Sequence, residues 1–224
     1  RQVGGDRDDL LAALAVFAAG SYDDLEMDAS AAELEQHYQR EGYFLKAVVT
    51  LKQALRCDPE DAALQEHIGD SYERLGLGQD ALVAYREALL TRMVQCERAS
   101  WNGRYDAPRA VLRKIVALDP WNSEERTMLA QCYEEDAMMV EARREYAEAA
   151  GRLREQGRMD DWSIAAEKIL TFDPTRTLVA RDLGKYYLER GEYERAIERI
   201  RLRQRAAPDD TRNLELMECC LLLL

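Results

Sequence analysis

Large aliphatic residues and tyrosines recur along the chain at the four-residue spacing of one α-helix face. In one recurring pattern a tyrosine follows an aliphatic residue by four positions, usually with a small residue between them. The pattern occurs at Leu34–Tyr38, Ile68–Tyr72, Leu129–Tyr133 and Leu183–Tyr187. Residues four apart share a helix face, and the small residue lets a neighbouring helix approach closely. We interpret these segments as the first helices of helix pairs.

A second pattern follows the first and marks the second helix of each pair. An alanine, a large residue and another alanine recur in Ala-x3-large-x2-Ala spacing at Ala47–Ala54, Ala81–Ala88 and Ala142–Ala149. Alternating small and large residues on one stripe permit interdigitated packing. The turn between the two helices is predicted four residues after each tyrosine, at Gly42, Gly76, Ala137 and Gly191.

Glycines and prolines repeat with a fixed separation. Four glycines each lie 17 residues before a proline, in the pairs Gly42 and Pro59, Gly103 and Pro120, Gly157 and Pro174, and Gly191 and Pro208. Glycine permits a tight turn after one helix, and proline ends the next helix because the residue before it disfavours the helical conformation. The spacing predicts a helix of about four turns between them.

Tyr38 and Tyr72 are 34 residues apart, and the whole set of small residue, tyrosine, glycine, alanine, aromatic residue, alanine and proline resembles the tetratricopeptide repeat family. The match is strongest in 28–61, 62–95, 123–156 and 177–210. The resemblance implies an all-α, right-handed superhelical solenoid of antiparallel helix hairpins, with about 11 or 12 helices in this chain.

The repeat is irregular in its middle, because the prolines there are 61 and 54 residues apart. We therefore predict three-helix units at 62–122 and 123–176, with a long middle helix that ends one repeat and begins the next. The predicted domains are an N-terminal helix and linker at 1–27, a solenoid at 28–210 (28–61, 62–122, 123–176 and 177–210), and a C-terminal helix at 211–224.

Helices are predicted at 8–19, 28–41, 45–57, 62–75, 79–100, 106–118, 123–136, 139–156, 160–172, 177–190, 193–206 and 210–223. Their expected N-caps are Asp61, Asn122 or Ser123, Thr175 or Thr177, and Asp210.

The formal net charge of -12 makes nucleic acid and anionic membrane surfaces poor partners, since both require clustered Lys and Arg. No apolar run reaches the length of a membrane span. Five cysteines without a CxxC motif indicate reduced thiols, and we expect a cytoplasmic location. The first residue is Arg1 and the last six residues are Cys and Leu, so we expect a fragment of a longer protein or self-association through the C-terminal helix.

No catalytic or metal-binding pattern stands out, and we expect a protein that is not an enzyme and holds no cofactor or metal. The two histidines, His37 and His67, are interpreted as polar surface or groove residues. The glycines form neither a dinucleotide fingerprint nor a P-loop. The tryptophans, Trp101, Trp121 and Trp162, are interpreted as packing residues near turns, with exposed binding anchors as the alternative.

In the tetratricopeptide family the first helices line a concave groove that binds a peptide. The resemblance places Gln36, Gln39, Arg40, Glu66, Asp70, Glu73, Arg74, Thr127, Gln131, Glu134, Glu135, Arg181, Lys185 and Glu189 in that groove. The middle of this set is acidic, which favours a partner with a basic or amphipathic segment, or alternatively leaves only solvated charges. Family members that clamp a terminal carboxylate use asparagines where this chain has Glu33, His67, Met128 and Asp182, so that clamp is not expected.

The leading hypothesis is a scaffold or adaptor that binds a protein or peptide partner in a concave acidic groove. The alternative is a non-catalytic arm of a larger enzyme or signalling protein. The segment Arg40–Val48 is similar to bacterial repeat proteins, some of which serve cell polarity or type IV pilus assembly.

Overall fold

The computed structural model describes residues 38–98 and 105–206, together with Met217 and Leu221. All regular secondary structure in these residues is α-helical, which confirms the all-α fold class. Residues 38–40 are helical and precede the first helix with described bounds. The helices are α1 (Phe44–Cys57), α2 (Ala62–Arg74), α3 (Gly78–Arg98), α4 (Asp106–Leu118), α5 (Ser123–Glu135), α6 (Met139–Glu155), α7 (Met159–Phe172), α8 (Thr177–Glu189) and α9 (Tyr193–Ala206).

The predicted helix bounds agree with these to within two residues, and those of α4 and α9 are identical. The two helices expected to be long are so, with 21 residues in α3 and 17 in α6. The predicted helices at 8–19 and 210–223, and most of the one at 28–41, lie outside the described residues.

Side chains cap α2 and α5 as the sequence predicts. Asp61 accepts hydrogen bonds from the backbone N–H groups of Ala63 and Leu64, at 2.8 and 3.2 Å. Asn122 caps α5 in the same way. The prediction of a threonine cap for α8 is wrong: its N-cap residue is Arg176, and Asp173 instead accepts the hydrogen bond from the Thr175 N–H.

The turn residues adopt the left-handed conformation that the pattern predicts. Gly42, Gly76 and Gly191 have φ values of 77°, 74° and 75°, and Ala137 has a φ of 58° at the equivalent position. A Cβ atom makes this conformation unfavourable, so glycine suits it and alanine is strained. Gly157, between α6 and α7, has the same conformation, with a φ of 72°.

The chain divides into two compact units, the first ending at Asp119 and the second beginning at Pro120. In the first unit α2 packs against both α1 and α3, and α3 also packs against α4. Ala81, Tyr85 and Ala88 of α3 are fully buried, as their spacing predicts. Pro108 is fully buried as well, and its missing N–H costs nothing because it lies in the first turn of α4.

In the second unit each of the five helices α5 to α9 packs against the next one along the chain. The middle helix α6 therefore contacts α5 through one face and α7 through another. The core of this unit contains Tyr146, Trp162, Leu183 and Tyr187, and Met217 packs against the edge of that core. Small residues permit the close packing: a Cβ atom on Gly184 would lie 3.2 Å from Ile200 of α9.

The described helices include none that combines the length and apolar character needed to cross a membrane.

Candidate functional site

Helix α2 carries four of the predicted groove residues, Glu66, Asp70, Glu73 and Arg74, and the carboxylates of two of them meet one buried tyrosine. The Tyr85 hydroxyl donates a hydrogen bond to Asp70 at 2.5 Å and lies 3.1 Å from Glu73. The Lys114 ammonium of α4 donates to the same Asp70 oxygen at 2.5 Å and lies 5.1 Å from the centre of the Tyr85 ring. Three helices are thus joined by one carboxylate, one phenol and one ammonium group.

The pKa of the Tyr85 phenol lies far above its usual value. Burial raises this pKa most, and the hydrogen bond to Asp70 raises it further. The hydroxyl therefore stays protonated and acts as a donor. Charged acceptors make such hydrogen bonds stronger than neutral ones. We call this arrangement a carboxylate–tyrosine–cation cluster.

The second unit repeats the cluster with Glu134, Tyr146 and Lys168. The Tyr146 hydroxyl donates to one Glu134 oxygen at 2.8 Å, and the Lys168 ammonium donates to the other at 2.7 Å. Burial alone would raise the pKa of Glu134, but the hydrogen bonds from Lys168 and Tyr146 outweigh it and hold that pKa below the usual value.

A third cluster joins α7, α8 and α9 in the second unit. The Tyr187 hydroxyl donates to Glu167 at 2.8 Å, and the Arg199 guanidinium lies 3.1 Å from the same oxygen. Here the tyrosine belongs to a first helix, α8, whereas in the other two clusters it belongs to a second helix, α3 or α6. Each cluster therefore joins three helices that follow one another along the chain.

Several of the predicted groove residues thus interact with other residues of the chain. Glu66 forms an ion pair with Arg92 at 3.0 Å, and the Thr127 hydroxyl donates to the Ser123 carbonyl at 2.8 Å. The predicted residues that stay exposed are Arg40, Glu73, Arg74, Gln131, Glu135, Lys185 and Glu189. Gln39 is half-buried, and Gln36 lies outside the described residues.

A cavity of about 270 Å³ in the second unit brings three of the predicted residues together. Arg181, Lys185 and Glu189 line it from α8, along with Asp182 and Tyr186. The rest of its wall comes from Arg154 at the end of α6 and from Met159 and Trp162 at the start of α7. The sequence pattern does not single out Arg154, because its partner Asp182 lies 28 residues further along the chain.

Aromatic side chains form one wall of this cavity. Trp162 is only 4% exposed and makes an edge-to-face contact with Tyr186, with 6.1 Å between the ring centres. The Tyr186 hydroxyl donates to Asp160 at 2.5 Å, and Arg190 donates to the same oxygen. The rings are thus held in place by packing and by hydrogen bonds.

Asp182 links two arginines at the cavity. Arg154 donates to one of its oxygens at 2.8 Å and Arg181 donates to the other at 2.8 Å. Burial alone would raise the pKa of Asp182, but these hydrogen bonds outweigh it and lower the pKa, so the carboxylate is ionised near neutral pH. The two guanidinium groups are therefore held in fixed positions.

The described tryptophans divide between the two interpretations. Trp162 is a packing residue, whereas Trp121 is 58% exposed and carries the Arg152 guanidinium 4.1 Å from its ring centre. Trp101 and His37 lie outside the described residues. His67 is exposed, and within residues 38–98 and 105–206 no three His, Cys, Asp or Glu side chains are grouped so that they could hold a metal ion.

The chain matches no protein-family model and no curated protein sequence. Three similar solved structures are MamA, YrrB and TTC0263. MamA is 16% identical, with 86% of this chain and 80% of that one covered and a TM-score of 0.28. YrrB, described as a TPR protein with an unusual peptide-binding site, is 16% identical, with 84% and 90% covered and a TM-score of 0.28. TTC0263, described as a thermophilic TPR protein of Thermus thermophilus, is 17% identical, with 86% and 97% covered and a TM-score of 0.27.

Identities and TM-scores this low carry no conclusion about function. The chain's own geometry is more informative: four equivalent turn residues have positive φ, and the first-helix tyrosines Tyr72, Tyr133 and Tyr187 are buried. Gly69 and Gly184 lie directly against the following helices. These features of its hairpins are the ones that the resemblance to the tetratricopeptide repeat family implies.

Proposed function

We propose that the protein is a scaffold. It binds a peptide or protein partner on the exposed faces of the first helices and acts by positioning that partner. The main support for the proposal is that these helices bury one face in the core and expose polar side chains on the other face. On α5, Leu129 and Tyr133 are buried while Gln131 and Glu135 are exposed. The scaffold performs no bond chemistry.

The charge of the exposed residues supports a partner with a basic or amphipathic segment. The formal net charge is -12, and Glu73 and Glu135 remain exposed on the first helices. Asp70 and Glu134 are already paired with lysines, so they contribute less to partner binding than unpaired carboxylates would. Complementary charges at such a surface steer association and set specificity.

A capped peptide library tests this proposal on the full chain. We expect purified protein to enrich peptides that contain Lys or Arg beside apolar residues. Glu135 lies outside the clusters, and the substitution Glu135→Lys reverses one exposed charge. Its matched control is Glu148→Lys, because Glu148 is also exposed but lies on α6.

Peptide affinity should fall about fivefold or more in Glu135→Lys and stay unchanged in Glu148→Lys, as expected for one lost charge contact. Fluorescence anisotropy with the enriched peptides measures both. If the wild-type chain enriches no peptide, the scaffold proposal is wrong. If both variants bind equally well, the partner binds elsewhere.

A further inference from the structure

The cavity between α6, α7 and α8 differs in charge from the exposed carboxylates of α5. Three cations line it, namely Arg154, Arg181 and Lys185, against the two carboxylates of Asp182 and Glu189. The chain as a whole has an excess of negative charge, so this local excess of positive charge stands out.

The cations retain capacity to bind an anion. Asp182 occupies one N–H of Arg154 and the Nε side of Arg181, whereas a guanidinium carries five N–H donors. The Arg154 side chain is 58% exposed, and Lys185 is exposed as well. Because Asp182 holds both arginines in place, little rotamer freedom is left for a ligand to remove.

The remaining wall of the cavity is apolar. Met159 and the rings of Trp162 and Tyr186 lie beside the cations, and the Arg154 guanidinium is 5.9 Å from the centre of the Trp162 ring. A volume of about 270 Å³ suits one or two amino-acid side chains better than a large cofactor. The cavity thus offers cationic donors and an apolar surface side by side.

We propose that this cavity binds an acidic side chain of a peptide, a glutamate or aspartate next to an apolar residue. The carboxylate accepts hydrogen bonds from Lys185 and Arg154, and the apolar neighbour packs against Met159 and the ring of Tyr186. The inference rests on the proposed scaffold function and names one feature of its partner. The partner is then a peptide of mixed charge, with its basic part at α5 and an acidic residue at α8.

Three sub-libraries of capped hexapeptides test the proposal on the full chain. Each fixes glutamate, glutamine or lysine at the third position and randomises the others. A fourth fixes glutamine there and carries a free C-terminal carboxylate. Capping removes terminal charges, so binding of the first set reports a side-chain carboxylate and binding of the fourth reports a terminal one.

Substitutions of Lys185 and Glu189 should act in opposite directions. Lys185→Glu should weaken binding of the glutamate peptides about tenfold or more, because it replaces a charged donor with a repelling group. Glu189→Gln should tighten their binding about twofold to fivefold by removing a carboxylate from the cavity. Gain of affinity in a variant cannot result from unfolding.

Arg144→Glu is the control for the first variant, since Arg144 is exposed on α6 and the change in charge is the same. It should bind the glutamate peptides as the wild type does. The inference is overturned if glutamate peptides bind no better than glutamine peptides, if Lys185→Glu binds them normally, or if only the free carboxylate set binds. When basic peptides still bind in those cases, the scaffold function stands; when none of the peptides binds, both proposals fail.

Discussion

Gly69 of α2 lies so close to Tyr85 of α3 that a Cβ atom at position 69 would be 2.5 Å from Cε1 of the ring. Tyr85 is fully buried and its hydroxyl is fixed by Asp70, so the ring has little room to move. Position 69 is the small residue between the aliphatic residue and the tyrosine of the repeat pattern. It must be glycine because the Tyr85 ring of α3 fills the space that a Cβ atom would need.

We predict that Gly69→Ala destabilises the protein by about 1–3 kcal/mol, because overpacking forces side chains or backbone to shift. Urea denaturation followed by circular dichroism measures the change. Gly151→Ala is the control: a Cβ atom at this helical position in α6 meets nothing within 4 Å. It should stabilise by about 0.5–1 kcal/mol, since alanine favours a helix interior. Equal effects of the two substitutions would contradict the close packing of α2 and α3.

Ala137 is the one residue among the equivalent turns that is not glycine, and its φ of 58° is strained. Ala137→Gly should raise the free energy of unfolding by about 1 kcal/mol, because it relieves the clash of Cβ with the backbone. The same denaturation experiment measures it. The reverse substitution, Gly76→Ala, should lower stability by a similar amount, and a loss of stability in Ala137→Gly would show that the turn is not strained.

The hydrogen bond from Tyr146 to Glu134 should contribute measurably to stability. Tyr146→Phe keeps the buried ring and removes only the hydroxyl, so we expect a loss of about 1–2 kcal/mol for a hydrogen bond to a charged group. Tyr43→Phe is the comparison, since the Tyr43 side chain is 55% exposed. It should leave the urea midpoint unchanged. A Tyr146→Phe protein as stable as the wild type would mean that packing alone holds α6 in place.

Acid should weaken the Glu134 cluster. The pKa of Glu134 is below its ordinary value of 4.5 in the folded protein, so the unfolded chain binds a proton more readily. The resulting stabilisation is present above pH 4.5 and is lost as the pH falls through the folded-state pKa. The difference in stability between the wild type and Glu134→Gln should therefore shrink as the pH is lowered from 6 to 3. Glu148→Gln, at an exposed position, should show no such trend, and a constant difference for Glu134→Gln would refute the lowered pKa.

The helices and turns could be predicted from the sequence because each depends on residues close together in the chain. The glycine at position 76 and the tyrosine at position 72 act within one hairpin, and their spacing alone identifies the turn. The cap of α8 was predicted wrongly because the Thr175 hydroxyl donates to Asp173 at 2.6 Å, and no side chain accepts a capping hydrogen bond at this helix start.

The candidate site was harder to predict, since it depends on contacts across the packed helices. The resemblance placed Asp70 and Glu134 in a groove, but whether each is available depends on Lys114 and Lys168, which are 44 and 34 residues away. One signal was accessible in retrospect: Glu73 and Glu134 each precede their tyrosine by 12 residues. Arg154 carries no such signal, because its partner Asp182 is 28 residues away, in the middle of α8.

Helix α6 packs against α5 on one side and α7 on the other, and Tyr146 and Ala150 lie in the same buried core as Trp162. Shortening the protein by a single hairpin at this point would therefore leave an apolar side of α6 facing water.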